Sequence, residues 1–301
     1  MAATTALSVR SFARPSWLPS DVWPFPAFAL DVDGCVVAIS EAGRGPVLLL
    51  YTGIGSFVWR DVILRLSRDF RCVTLDPPGI GLSGRVPRAD ITLQRSARAV
   101  GAAIEALDLR NLTLVVHDTG GPPAFAAAAR VPGLISGIVG VNTFGWRPSG
   151  AAFRGMLAIM GSNFIRRADL ATNFLARLTT TTFGVARHLD EASRRAYRAG
   201  LERSQSAFHD YLRDARQSDA LYDELASAFE GPLGRLPLLT IFGERNDPLG
   251  FQPRWKSLFP AAHQVVVPKG NHFPMCDDPD FVAEEIRRWH RERVGQSVEQ
   301  R

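Results

Sequence analysis

Short, nearly continuous apolar runs alternate with helix-spaced segments along this chain, and that alternation limits the folds open to it. The runs are "PVLLLYT" (46–52), "RCVTLD" (71–76), "LTLVVHD" (112–118), "SGIVGVN" (136–142), "PLLTIFG" (237–243) and "HQVVV" (263–267). Each is too short for a helix and reads as a strand, with "PVLLLYT" and "RCVTLD" apolar enough to be buried on both faces. Helical spacing lies between them. Leu93, Ala97, Val100, Ile104 and Leu107 make one apolar face, and Phe281, Val282, Ile286 and Trp289 make another, opened by an Asp278-Pro279 cap. Strands alternating with helices predict an α/β fold with a mostly parallel central sheet flanked by helices. "FALDVDGCVVAIS" adds a hairpin turning at Asp33-Gly34.

The alternation is interrupted once. Residues 149–235 are Arg-rich and helical in tone, with no convincing strand. They read as an inserted cap over the C-terminal edge of the sheet, where ligands bind in open α/β folds. The expected organisation is an N-terminal arm (1–25), a core (26–148 and 236–294), a helical cap (149–235) and a short tail (295–301).

Several function classes are disfavoured. At 301 residues and 46% hydrophobic, the chain can bury a core without disulfides or structural metals. Its formal charge of +5 comes almost wholly from scattered arginines, with Lys256 and Lys269 the only lysines. There is no basic stripe or known binding motif, so no nucleic-acid partner is expected. No apolar run is long enough to span a bilayer, so no membrane partner is expected either. Cys35, Cys72 and Cys276 share no metal-ligand or disulfide spacing, which suits a reducing cytoplasm. No cofactor or metal is expected. "DPPGIGLSG" contains Gly79-x-Gly81-x-x-Gly84, but loop sequence follows and no acid ends a next strand, so it reads as a turn and not a dinucleotide site.

The chemistry concentrates in "LVVHDTGGPPAF" (114–125). A strand ends at Asp118, small residues follow, and a helix opens. That is the grammar of a nucleophile elbow with aspartate in place of serine. His272 in "GNHFP" and Asp247 in "FGERNDPLG" each follow a later strand. The order Asp118, Asp247, His272 is nucleophile, acid, base.

On these motifs the chain resembles the haloalkane dehalogenase and epoxide hydrolase branch of the α/β hydrolases, over nearly its whole length. "VVHDTGGP" resembles the nucleophile motif, "DPPGIGLSG" the turn, "GNHFP" the histidine loop and "NTFGWRP" the segment before the cap. The resemblance implies a cofactor-free hydrolase acting on a small apolar organic substrate and water, as a monomer or homodimer. Asp118 would form an alkyl ester, His272 would activate water to hydrolyse it, and Asp247 would orient the imidazole. Thr119 and Gly53 would supply oxyanion N–H groups. The sequence departs from the branch in two places. Dehalogenases carry a halide-binding tryptophan where Thr119 stands, and a subgroup has an asparagine donor where this chain reads Tyr51-Thr52-Gly53-Ile54. Thr119 and Tyr51 are the available hydroxyl donors. The "FGERND" loop is one residue longer than usual, so Asn246 is an alternative to Asp247; Asp247 is favoured because only an acid stabilises imidazolium. Tyr197, Tyr211 and Tyr222 in the cap would serve an epoxide hydrolase, and Trp146 would be a pocket wall. A ligand-binding protein or lapsed hydrolase is the reading from another class.

Overall fold

The computed structural model describes residues 9–295. Nine strands form one sheet: β1 (Val9–Ser11), β2 (Ala27–Val32), β3 (Cys35–Ala42), β4 (Val47–Thr52), β5 (Arg71–Leu75), β6 (Leu112–His117), β7 (Ile135–Val141), β8 (Leu238–Gly243) and β9 (His263–Val267). Their order is β1-β2-β3-β5-β4-β6-β7-β8-β9, antiparallel among β1, β2, β3 and β5 and parallel from β5 through β9. The β2–β3 hairpin turns at Asp33 (φ 53°) and Gly34 (φ 73°), the left-handed pair a two-residue turn requires.

Every residue of β6 and β8 is buried, which is why both strands carry unbroken apolar sequence. Helices cover both faces. α2 (Leu93–Ala106) and α3 (Gly121–Arg130) pack together on one side; α1 (Arg60–Leu66) and α10 (Pro279–Trp289) pack on the other. The two faces hold separate apolar cores, one built around Leu49, Leu114 and Phe125, the other around Leu50, Val115 and Trp59.

Between β7 and β8 the chain forms α4 (Ala151–Met160), α5 (Asn163–Thr172), α6 (Phe174–Thr179), α7 (Glu191–Ala215) and α8 (Asp219–Glu230). α4, α5 and α6 pack against the long α7. α8 instead packs on core helix α3, tied by the Arg130–Glu224 ion pair at 3.1 Å. The lobe over the sheet edge is therefore α4–α7, and α8 flanks the core. The N-terminal arm is also more integrated than its Pro- and Ser-rich composition suggests. Leu18, Val22, Trp23 and Phe25 are buried, and Trp23 Nε1 donates to Ser40 Oγ at 3.1 Å. Of the expected arm and tail, residues 1–8 and 296–301 lie outside the described residues.

The parallel register aligns strand ends. Thr52 pairs with His117, and His117 with Val141. The residues that follow, Gly53, Asp118 and Asn142, therefore emerge side by side at one edge.

Candidate active site

Asp118 sits at φ 51°, a left-handed conformation that a side chain adopts at a cost of about 1–2 kcal/mol. The turn holds it there. Thr143 Oγ1 donates to the Asp118 carbonyl at 2.6 Å, a 3-10 turn spans Asp118–Gly120, and α3 opens with Pro122 and Pro123 in its first turn. Close backbone approach explains the two glycines. A Cβ on Gly120 would lie 2.5 Å from Thr52 Cα, and one on Gly121 would lie 2.6 Å from the Phe144 carbonyl oxygen.

His272 faces this carboxylate, its Nε2 3.7 Å from Asp118 Oδ2. Two buried side chains hold its backbone. Its carbonyl accepts from Asn142 Nδ2 at 2.8 Å and from His117 Nε2 at 3.0 Å. Asn142 Nδ2 also reaches the Asn271 carbonyl, while its Oδ1 accepts from Gly243 N. Because a carbonyl only accepts, His117 carries its proton on Nε2, and its Nδ1 accepts from Thr52 Oγ1 at 3.1 Å. Burial, reinforced by the charge of nearby His272, pushes His117 down to about 3. It is a neutral spacer between strand β4 and the His272 loop. At Asp118 burial pushes upward, but the hydrogen bond and charge of His272, with His117 and the Thr119 amide, outweigh it. Its pKa falls below the usual aspartate value, so the carboxylate is ionised at neutral pH.

Asp247 does not take the third position. Its two oxygens accept from Phe251 N (2.6 Å) and Gln252 N (3.0 Å), capping α9 (Phe251–Leu258). Those orphan amides at a helix start are strong donors and hold the carboxylate at the cap, where it makes no hydrogen bond or ion pair with His272 among the described residues. Asn246 stands beside the imidazole instead, with Nδ2 3.2 Å from His272 Nδ1.

Asp118 and His272 open into a cavity of about 170 Å³. Ile54, Ile80, Leu175, Leu201, Phe208 and Phe273 supply apolar wall, and Asp169, Ser204 and Gln205 supply polar groups from the cap. Asp169 is fully buried, 3.1 Å from His209 Nε2, and accepts from Leu175 N at 2.9 Å.

The other sequence candidates lie elsewhere. Thr119 is buried at the elbow, its Oγ1 3.5 Å from Asp118 Oδ2, and Gly53 abuts it so closely that a Cβ would meet Thr119 Oγ1 at 2.2 Å. Tyr51 is fully buried in the core, not in the cavity, because strand alternation turns it onto the α2 and α3 face. Tyr211 donates to the Thr119 carbonyl at 3.4 Å, buttressing the elbow, and Tyr222 donates to the Ala215 carbonyl at 2.7 Å. Tyr197 packs edge-on against Phe57, in a separate crevice with Trp17 and Trp23. None of these tyrosines lines the Asp118 cavity. Trp146 packs edge-on against Phe251 and Trp255 under Arg254, on a different face. The "DPPGIGLSG" segment is a turn: Asp76 accepts from Ser56 N and Leu82 N at 2.6 Å each, with Gly79 and Gly81 at positive φ. Among the described residues, no cluster of three or more His, Cys, Asp or Glu side chains is arranged to ligate a metal.

With this geometry in place, the comparisons with known proteins are specific. The chain belongs to the α/β-hydrolase fold family, matched over residues 45–279. Within it, the chain is a haloalkane dehalogenase-like hydrolase. It is 29% identical over 273 residues to haloalkane dehalogenase 2 of Mycobacterium tuberculosis, covering 88% of this chain and 95% of that one. A loop variant of a haloalkane dehalogenase from Bradyrhizobium elkanii superposes with a TM-score of 0.76 at 20% identity, covering 92% of this chain and 100% of its own. An epoxide hydrolase structure gives the same TM-score at 18% identity, covering 89% and 99%. No helix among the described residues is long and apolar enough to cross a membrane.

Proposed function

We propose that the protein hydrolyses a small, neutral, chiefly apolar alkyl halide through an ester on Asp118. One observation carries this reading: an ionised aspartate on a strained elbow faces His272 inside an apolar cavity. In the first step an Asp118 oxygen attacks an sp³ carbon, and halide departs with the bonding pair. In the second, His272 Nε2 takes a proton from water as it attacks the ester carbonyl, and the proton then passes to the departing alcohol oxygen. Backbone N–H groups of Thr119 and the Gly53–Ile54 segment would receive the oxyanion.

Asn246 completes the set as a positioning residue. A base needs a free lone pair on Nε2, so Nδ1 must carry the proton and Asn246 must present its amide oxygen. The orientation with Nδ2 toward Nδ1 leaves the proton on Nε2. Catalysis then requires the amide turned over.

Epoxide opening by the same carboxylate is the second reading. It would need an acid at the opening oxygen, and the positions of Tyr197, Tyr211 and Tyr222 outside the cavity weigh against it. The two are separated by intact-protein mass of a His272→Ala variant exposed to 1,2-dibromoethane or to styrene oxide. A gain equal to substrate less bromide, absent in His272→Ala/Asp118→Ala, supports the halide reading. A gain of the whole epoxide supports the second, and no adduct with either contradicts both.

A further inference from the structure

The cap leaves one of its surfaces uncovered. The inner sides of α4, α5 and α6 pack on α7 and roof the cavity through Met160, Asp169, Leu175, Ala176 and Thr179. Their outer sides present Met156, Ile159, Phe164, Leu170 and Leu178, and the loop beyond α6 presents Phe183. Phe164 is 78% exposed and Phe183 75%. Single exposed hydrophobics are ordinary. Here, more than half of the large hydrophobics exposed among the described residues fall within one short run of the chain.

The charge of the same surface is one-sided. Between Gly150 and Leu189 the only acidic residue is Asp169, which is buried against His209. Arg154, Arg167 and Arg177 are exposed and form no ion pair among the described residues. Large apolar side chains interleaved with unpaired guanidinium groups, and no exposed acid, suit an anionic lipid surface. A second copy of the chain docking here would set like charges against each other across a two-fold axis. Nucleic acid would satisfy the arginines but leave the phenylalanines without an apolar partner.

We propose that this face of the cap docks on an anionic bilayer, with Phe164 and Phe183 entering the headgroup–acyl boundary and Arg154, Arg167 and Arg177 meeting lipid phosphates. The absence of a spanning segment does not bear on such docking, which uses an amphipathic surface. It reverses the expectation of no membrane partner, and it would bring the roof of an apolar cavity to the phase where apolar substrates collect.

The test is co-sedimentation of the full chain with phosphatidylcholine vesicles, with and without phosphatidylglycerol. Binding should require phosphatidylglycerol and weaken at high salt. It should fall about tenfold or more in Phe164→Ser/Phe183→Ser. Each of Arg154→Gln, Arg167→Gln and Arg177→Gln should lower it about fivefold. All these sites are exposed, so thermal unfolding monitored by circular dichroism should match the parent chain. Binding that ignores phosphatidylglycerol, or that survives the double phenylalanine variant, overturns the proposal. So does a parent dimer without lipid affinity that the double variant converts to monomer.

Discussion

His117 offers a prediction whose size follows from the structure. The residue is fully buried, neutral, and bonded on both ring nitrogens, to Thr52 and to the His272 carbonyl. In the unfolded chain it titrates near 6.5; in the fold, burial and the His272 charge lower this to about 3. Between those values the unfolded state binds the extra proton, so stability rises with pH and is lost as pH falls below about 6.5. The loss is about 1.4 kcal/mol per pH unit, or about 3 kcal/mol at about pH 4.5. That is a large part of the 5–15 kcal/mol typical of a folded domain. His117→Gln removes the titration while keeping an amide able to reach the His272 carbonyl. At about pH 7.5 the variant should be the less stable by about 1–2 kcal/mol, from the lost Thr52 bond. At about pH 4.5 the order should reverse, because only the parent chain has lost the histidine contribution. Urea unfolding of both proteins at the two pH values reads the difference, in which every titrating group remote from His117 cancels. A stability gap that is the same at both pH values, within about 0.5 kcal/mol, would refute the reasoning.

Three further outcomes follow from the site. Asn246→Asp places a carboxylate beside His272 Nδ1 and should speed breakdown of the ester by about tenfold or more in single-turnover kinetics, with little change in its formation. Asp247→Asn should retain turnover while lowering stability by about 1 kcal/mol through the weakened α9 cap, measured by thermal unfolding; a triad acid would instead cost turnover by orders of magnitude. Asp118→Gly should abolish ester formation yet raise stability by about 1 kcal/mol, because glycine relieves the left-handed strain.

What the sequence made legible was what local chemistry dictates. The central parallel strands β6 and β8 are readable because strands buried on both faces must be apolar throughout, as in "LTLVVH". Asp118 is readable because only small residues fit where Gly120 and Gly121 cross the β4 end and the Phe144 backbone. The choice between Asn246 and Asp247 is not local. The neighbours point opposite ways, and which one meets His272 depends on α9 claiming the aspartate as its cap. His117 and Asn142 escaped notice as site residues because each ends an apolar run, and only the assembled sheet brings both to the His272 carbonyl. The cap tyrosines misled for a related reason. An amphipathic helix such as α7 shows which residues are buried, but not whether the buried side faces the cavity, as Ser204 and Gln205 do, or the elbow, as Tyr211 does.

In the proposed reaction Asp118 bonds to the substrate carbon. The most direct measurement is a single turnover of 1,2-dibromoethane in water enriched with ¹⁸O, followed by mass analysis of the peptide carrying Asp118 and of the alcohol. If the ester forms, water attacks its carbonyl, so the heavy oxygen enters Asp118 and the first alcohol released keeps the ordinary aspartate oxygen. If the heavy oxygen appears in the alcohol and not in Asp118, water attacks the substrate directly, and the nucleophile assignment is wrong.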